Sequence, residues 1–343
     1  MVKASVNTTF ESLVNTLPVM PFLFHMRCSR VPEGSPSSTG LRPASSGSAG
    51  DGLLSRLGIV VVLGLSAGTG GAAEVDVSSA LIAKHTALAT RLNDSPFKRP
   101  LVLDSVENGN RTSGEIYAVV DHPFVTVDAA LDGPSHWCEV LILHVNTKYC
   151  HARATPAGTT LTVNVGRKDD QPLADTYRAD FAYRVALATP TYFAVRLSAD
   201  TGPLNTSDYR IDLEGVALDS RRTFLHLTYA YSYGFSGRLA MQAYLATGGR
   251  GKVGFTTTGA RPDGEPAYIG GVRGVIERNT MRYYFAVVAY LDALASPPQN
   301  QVEKRLQTWF DATEQYPQQL HEVERATYLA MKRRQVLLQQ SGG

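Results

Sequence analysis

Five consecutive segments between Thr160 and Tyr233 alternate apolar with polar side chains, and this period of two restricts the fold more than any other feature of the chain. Successive side chains of a strand point to opposite faces, so each segment predicts a strand with one buried face. "TLTVNV" sets Leu161, Val163 and Val165 on one side, and "YRADFAYRVAL" sets Tyr177, Phe181, Tyr183, Val185 and Leu187 against Arg178, Asp180 and Arg184. Phe193, Val195 and Leu197 follow in "YFAVRLS", then Tyr209, Ile211 and Leu213 in "YRIDLEGVAL", where Gly215 predicts a bulge. "TFLHLTYAYSY" aligns Leu225, Leu227, Tyr229, Tyr231 and Tyr233. Short connections predict successive hairpins in one antiparallel meander. With "SGEIYAVV" (113–120) as an earlier strand, six or seven strands are expected.

Helical spacing fills the remainder. Leu81, Leu88 and Leu92 place a helix over 74–93, Pro123 precedes a short one at Val125–Leu131, and Pro134 opens another that carries Trp137 and Cys138. After the meander, "SGRLAMQAYLATGG" reads as a helix capped by Ser236, and 279–298 as a helix that starts at Asn279 or Thr280, apolar on nearly every side and therefore buried. Two amphipathic helices, 300–316 and 318–339, close the chain. The class is α+β.

The first 73 residues differ in kind. Residues 31–52 are dominated by Ser, Gly and Pro and cannot bury apolar surface. Arg56, the apolar run Leu57–Leu65 and the small residues Gly71, Ala72 and Ala73 then follow the plan of a secretory signal peptide. The run is about half of the ~20 residues a spanning helix needs, which weighs against a membrane anchor. Removing residues 1–73 takes five of the 33 basic residues and three of the 31 acidic ones, leaving 28 of each. A balanced chain predicts no nucleic-acid partner. The expectation is a periplasmic or secreted protein with no stable membrane insertion after cleavage.

Export also removes Cys28 and leaves Cys138 and Cys150 in "HWCEVLILHVNTKYCH". An even number in an oxidising compartment favours a disulfide. The chain must then fold back at Asn146 and Thr147, because twelve residues of straight helix span roughly 18 Å and bridged Cα atoms lie within about 7 Å. A zinc site from His136, Cys138, Cys150 and His151 is the rival, without the close paired spacing of structural zinc motifs.

One strand, two small helices, a curled meander and a long apolar helix form an order that resembles the helix-grip fold of the START and Bet v 1-like superfamily. The landmarks are "GEIYAVVDHPF", "HWCEVLILH", "HLTYAYSYGF" and "RNTMRYYFAVVAYLDAL", over about residues 113–295. The chain also resembles exported bacterial members with no assigned activity. The helix at 236–247 and the two after 298 depart from the pattern. The resemblance implies a curved antiparallel sheet wrapped on a long helix, with a cavity between them for lipids or other hydrophobic molecules. Tyr183, Tyr229, Tyr231 and Tyr233 on the concave face would supply apolar walls with hydroxyl handles. The alternative is a solid core filled by the same side chains.

His144, amid "VLILHV", is a candidate ligand contact with a lowered pKa, and Arg282 a candidate partner for an anionic group. His226 falls on a polar strand face and reads as structural. "GRGKVG" at 249–254 matches a dinucleotide fingerprint but follows a helix, and "HEVER" at 321 lacks the second histidine of a metalloprotease helix. Neither a metal nor a cofactor is expected. The sequence thus divides into an N-terminal extension (1–73), a START-like domain (74–298) and a helical extension (299–343), and favours a carrier of a hydrophobic, lipid-like ligand. Two alternatives stay open: a cyclase- or hydrolase-type enzyme using His144, Tyr231 and Arg282, and a scaffold that docks a protein partner through an exposed stripe at Trp309 and Phe310.

Overall fold

A computed structural model describes residues 70–247 and 249–342. The expected signal segment, as far as residue 69, lies outside the described residues. Eight strands form one antiparallel sheet: β1 (Leu101–Asn108), β2 (Arg111–Val120), β3 (Thr147–Thr155), β4 (Gly158–Val165), β5 (Tyr177–Ala188), β6 (Tyr192–Gly202), β7 (Thr206–Ala217) and β8 (Thr223–Tyr233). Their spatial order is β1-β2-β8-β7-β6-β5-β4-β3. The meander from β3 to β8 is therefore continuous, and β8 returns to pair with β2 along its whole length, from Arg111 opposite Ser232 to Val120 opposite Thr223.

The sheet has one strand more than the upper end of the six or seven expected. "LVLDSVEN" (β1) has three buried residues and then an exposed end, so it shows no period of two, and it turns back into β2 through Gly109 at φ 62°. Two details of the meander also differ. Tyr177 begins its strand and is 37% exposed, and Val185 is 39% exposed because the β5–β6 register shifts between Val185 and Leu187. Gly215 is no bulge, since β7 runs in unbroken register past it. The glycine is needed because a Cβ there would lie 2.3 Å from Cε1 of Phe193.

The helices are α1 (Gly70–Ala87), α2 (Ala89–Asn93), α3 (Phe124–Leu131), α4 (Pro134–Leu141), α5 (Phe235–Ala246), α6 (Gly271–Ala293), α7 (Pro298–Glu314), α8 (Pro317–Leu320) and α9 (Arg325–Ser341). A second, two-stranded sheet, β9 (Thr257–Ala260) with β10 (Pro266–Tyr268), lies in the connector before α6. The long helix α6 packs on β1, β2 and β8. Its contact with β2 is close: a Cβ on Gly114 would meet Oγ1 of Thr280 at 2.3 Å.

Helix α6 begins eight residues before the position that its apolar run suggests, because its first two turns bury polar groups. Glu277 is wholly buried and accepts hydrogen bonds from Oγ of Ser105 (2.6 Å), the backbone N–H groups of Phe255 (2.6 Å) and Thr256 (2.9 Å), and Oγ1 of Thr256 (2.7 Å). Four donors satisfy a carboxylate that would otherwise be costly to bury. They also tie the connector and β1 to the helix.

The predicted helix 318–339 is broken into α8 and α9 by extended backbone at His321. Trp309 and Phe310 are not an exposed stripe: they are 3% and 6% exposed, Trp309 stacks on Tyr328 (4.9 Å between centroids), and its Nε1–H donates to the Arg282 carbonyl at 3.0 Å. On the other face of the sheet, Leu81, Leu88 and Leu92 of the N-terminal helices cover Val102, Tyr117, Tyr192 and Phe224.

Candidate functional site

Between α6 and the β4–β8 part of the sheet lies a cavity of about 280 Å³. Val163 of β4, Phe181 of β5, Tyr209 and Ile211 of β7 and Tyr229 of β8 form one wall; Asn279 and Tyr283, one turn apart on α6, face them. The end of α4 and the chain after it add Leu141, His144, Asn146 and Thr147. Gly202, Pro203 and Leu204, in the β6–β7 turn, close the remaining side. The walls are mainly apolar, with a few polar groups gathered around His144, which is the composition of a small-molecule site.

The β6–β7 turn is strained. Leu204 and Asn205 have φ of 58° and 59°, and Asp208, at the irregularity early in β7, has φ 51°; the left-handed region costs a residue such as Leu204 roughly 1–2 kcal/mol and is more readily adopted by Asn and Asp. Leu204 remains 62% exposed while lining the cavity, so it forms part of the rim.

His144 is 5% exposed, and its ring stacks on Tyr283 at 5.0 Å. Burial, followed by the charges of Arg282 and Lys332, holds its pKa well below the ordinary value, with Asn279 pulling the other way. The ring is neutral, and its Nδ1 accepts the backbone N–H of Asn146 at 3.2 Å. The proton therefore sits on Nε2. That atom is buried and has no hydrogen-bond partner among the described residues.

The segment that carries His144 is held from behind by α9. Nζ of Lys332, a wholly buried side chain, donates to the carbonyls of His144 (2.7 Å) and Thr147 (2.6 Å), and the Tyr328 hydroxyl donates to Leu143 (2.8 Å). Lys148, 1% exposed, donates to the carbonyls of Val145 (3.0 Å) and Asp169 (2.9 Å). Burial lowers the pKa of Lys332 well below the lysine range, and that of Lys148 to about 8 against the pull of Asp169 and Asp170. Cys138 and Cys150 form a disulfide with Cα atoms 5.1 Å apart, joining α4 to β3 across the same bend.

Of the six residues singled out from the sequence as ligand contacts, the cavity brings together His144 and Tyr229. The Tyr183 hydroxyl donates to the Asp132 carbonyl, Tyr231 stacks on Tyr209 at 5.3 Å, and the Tyr233 hydroxyl donates to Glu107 at 2.6 Å. Arg282 is buried against Glu322 (2.5 Å) and donates to Oδ1 of Asn279 (3.1 Å). Glu322 also pairs with Lys168, and these cations outweigh its burial and keep its pKa low. Tyr209, Asn279 and Tyr283 escaped sequence reading as site residues. Asn279 and Tyr283 are spaced i, i+4 on a helix that is apolar almost all round, so nothing in the pattern marks their face.

A second polar cluster sits on the other side of the sheet. His226 lies 3.4 Å from Oε2 of Glu214 and 3.6 Å from Oε2 of Glu115, under the ring of Tyr117 at 4.2 Å. Burial opposes its charge, and the two glutamates outweigh burial, so the imidazole is raised to about 9.

No family model matches the sequence, and no curated protein matches it. Among solved structures, the chain is similar to the Zhui aromatase/cyclase of Streptomyces sp. R1128, at 15% identity over 62% of this chain and 94% of that one, with a TM-score of 0.26. Norcoclaurine synthase from Thalictrum flavum gives 11% identity over 43% and 80%, TM-score 0.28. Human StAR-related lipid transfer protein 5 gives 10% over 51% and 90%, TM-score 0.28. Independently of these scores, a β2-α3-α4 entry, a meander whose last strand returns to β2, and a long helix across the sheet make this a helix-grip fold of the α+β class.

Proposed function

We propose that this protein binds a compact, largely apolar molecule in the cavity between sheet and α6, and that it does so after export from the cell. The observation that carries the reading is the cavity itself, with the neutral His144 beside it. Its volume of about 280 Å³ lies at the foot of the usual range for ligand pockets, about 300–1,000 Å³. At the ~30 Å³ each molecule occupies in liquid water, it suits a guest on the order of nine or ten non-hydrogen atoms, such as a substituted single-ring aromatic. A diacyl lipid would need a larger space. Rings of Phe181, Tyr209, Tyr229 and Tyr283 offer faces for stacking. A small turn of the His144 ring would let Nε2–H donate to a carbonyl or ether oxygen on the guest.

Export is supported by Arg56, the run Leu57–Leu65 and the small residues after it, together with the disulfide, which persists in oxidising compartments. Native mass spectrometry of the purified protein tests the binding reading, with Ala179→Phe as the variant that fills the cavity from β5. The expected result is a co-purifying mass lost in the variant while the fold is kept. Binding that is unchanged in Ala179→Phe would refute this site.

A further inference from the structure

Helix α5 is an addition to the fold, and it is poorly covered. Among its described residues only Gly237 is buried. Phe235 is 86% exposed and Leu239 59%, and Ala243 and Ala246 continue the same stripe at helical spacing. Gly237 seats the first turn on the β6–β7 turn: a Cβ there would lie 3.2 Å from the Leu204 carbonyl oxygen and 3.3 Å from that of Asn205. Leu204, 62% exposed, thus joins Phe235 and Leu239 in one apolar patch at the rim of the cavity. Single exposed apolar residues are ordinary, but a cluster of large ones marks an interaction surface.

Charge identifies the partner. From Gly234 to Pro262 the chain has no acidic residue and four basic ones. Lys252 is committed to the His321 carbonyl and Glu322, and Arg261 faces Asp263 at 3.6 Å. Arg238 and Arg250 are exposed and have no ion pair among the described residues. Glu107 and Asp208 accept from the neutral hydroxyls of Tyr233 (2.6 Å) and Ser207 (3.0 Å), and neither forms an ion pair with Arg238 or Arg250 among the described residues. A second copy of the chain docked on this patch would oppose the same arginines to one another, whereas anionic lipid headgroups complement them.

We propose that α5 and the β6–β7 turn form a docking surface for an anionic lipid bilayer, with Phe235, Leu239 and Leu204 entering the interface. At about 18 Å the helix is too short to span a membrane and suited to lie along one. Among the described residues no helix is long and apolar enough to cross a membrane. Docked this way, the rim of the cavity faces the lipid. The surface rests on exposure and charge, so it holds whether or not the cavity takes a guest.

The test is flotation of the full chain with vesicles of phosphatidylcholine plus phosphatidylglycerol, and with phosphatidylcholine alone. Every variant keeps the same N-terminal segment, so any lipid affinity of that segment cancels. Phe235→Ser with Leu239→Ser is expected to lower binding to anionic vesicles at least about tenfold. Arg238→Ser and Arg250→Ser should each lower it about fivefold, with little effect on neutral vesicles. The substituted side chains are exposed, so an unchanged thermal melt is expected and certifies the fold. Equal binding by wild type and the double-serine variant overturns the proposal. So does a wild type that ignores vesicles and instead self-associates, or retains a protein partner, through the same residues.

Discussion

Replacing His226 with Gln removes the cation that two glutamates share while keeping a polar side chain of similar length. The folded imidazole titrates at about 9, against 6.5 for the free group. At about 1.36 kcal/mol per pH unit, that displacement corresponds to about 3 kcal/mol of stability. The side chain is 19% exposed, so solvent screening removes only part of it. Because the folded pKa is the higher one, the contribution is complete below pH 6.5 and is lost as pH rises through about 9. The lowered pKa values of Glu115 and Glu214 are the same interaction seen from the other side, lost as pH falls into the acid range, and are not added again. Other charges face the cluster: Lys84 of α1 lies 4.8 Å from the Tyr117 ring centre, and Arg196 acts on Glu214. Urea unfolding of wild type and His226→Gln, disulfide intact, is to be measured between about pH 6 and about pH 10. The expected difference is about 3 kcal/mol at the lower end, shrinking toward zero at the upper. A difference that stays constant across this range would refute the assignment of a shared, buried imidazolium.

Three further outcomes follow from the geometry. Glu277→Ala strands four donors around a buried site and should cost at least about 3 kcal/mol in chemical unfolding, whereas Glu277→Gln, which keeps one acceptor, should cost less. Cys138→Ser with Cys150→Ser should lower stability by about 3 kcal/mol for a loop of this length, and reducing agent should then leave the variant's melt unchanged. Gly215→Ala forces Phe193 out of its place and should cost about 1–3 kcal/mol, with Gly215→Val costing more.

The strands of the meander were readable because each has one face in the core and one in water, which is the condition under which composition reports orientation. Where that condition fails, reading failed. Strand β1 has three buried residues in succession at its start, Leu101, Val102 and Leu103, because the N-terminal helices cover its outer face while α6 covers its inner one. The first two turns of α6 look polar, yet Glu277 and Arg278 are buried, their cost offset by partners 21 to 172 residues away in the chain. Trp309 and Phe310 show a proper amphipathic stripe, but a stripe does not name what it lies against; here it is Tyr328 of the same chain.

The amino-acid order alone determined the fold class, the bend between the two cysteines and the apolar character of α6, since each depends on local periodicity or on spacing along the chain. Only the tertiary structure decided which tyrosines border the cavity, that Arg282 is spent on Glu322, and that His144 is backed by Lys332. Those outcomes depend on where a helix and eight strands come to rest against one another, and the side chains that meet there are set by distance in space, to which the period of any one segment is blind.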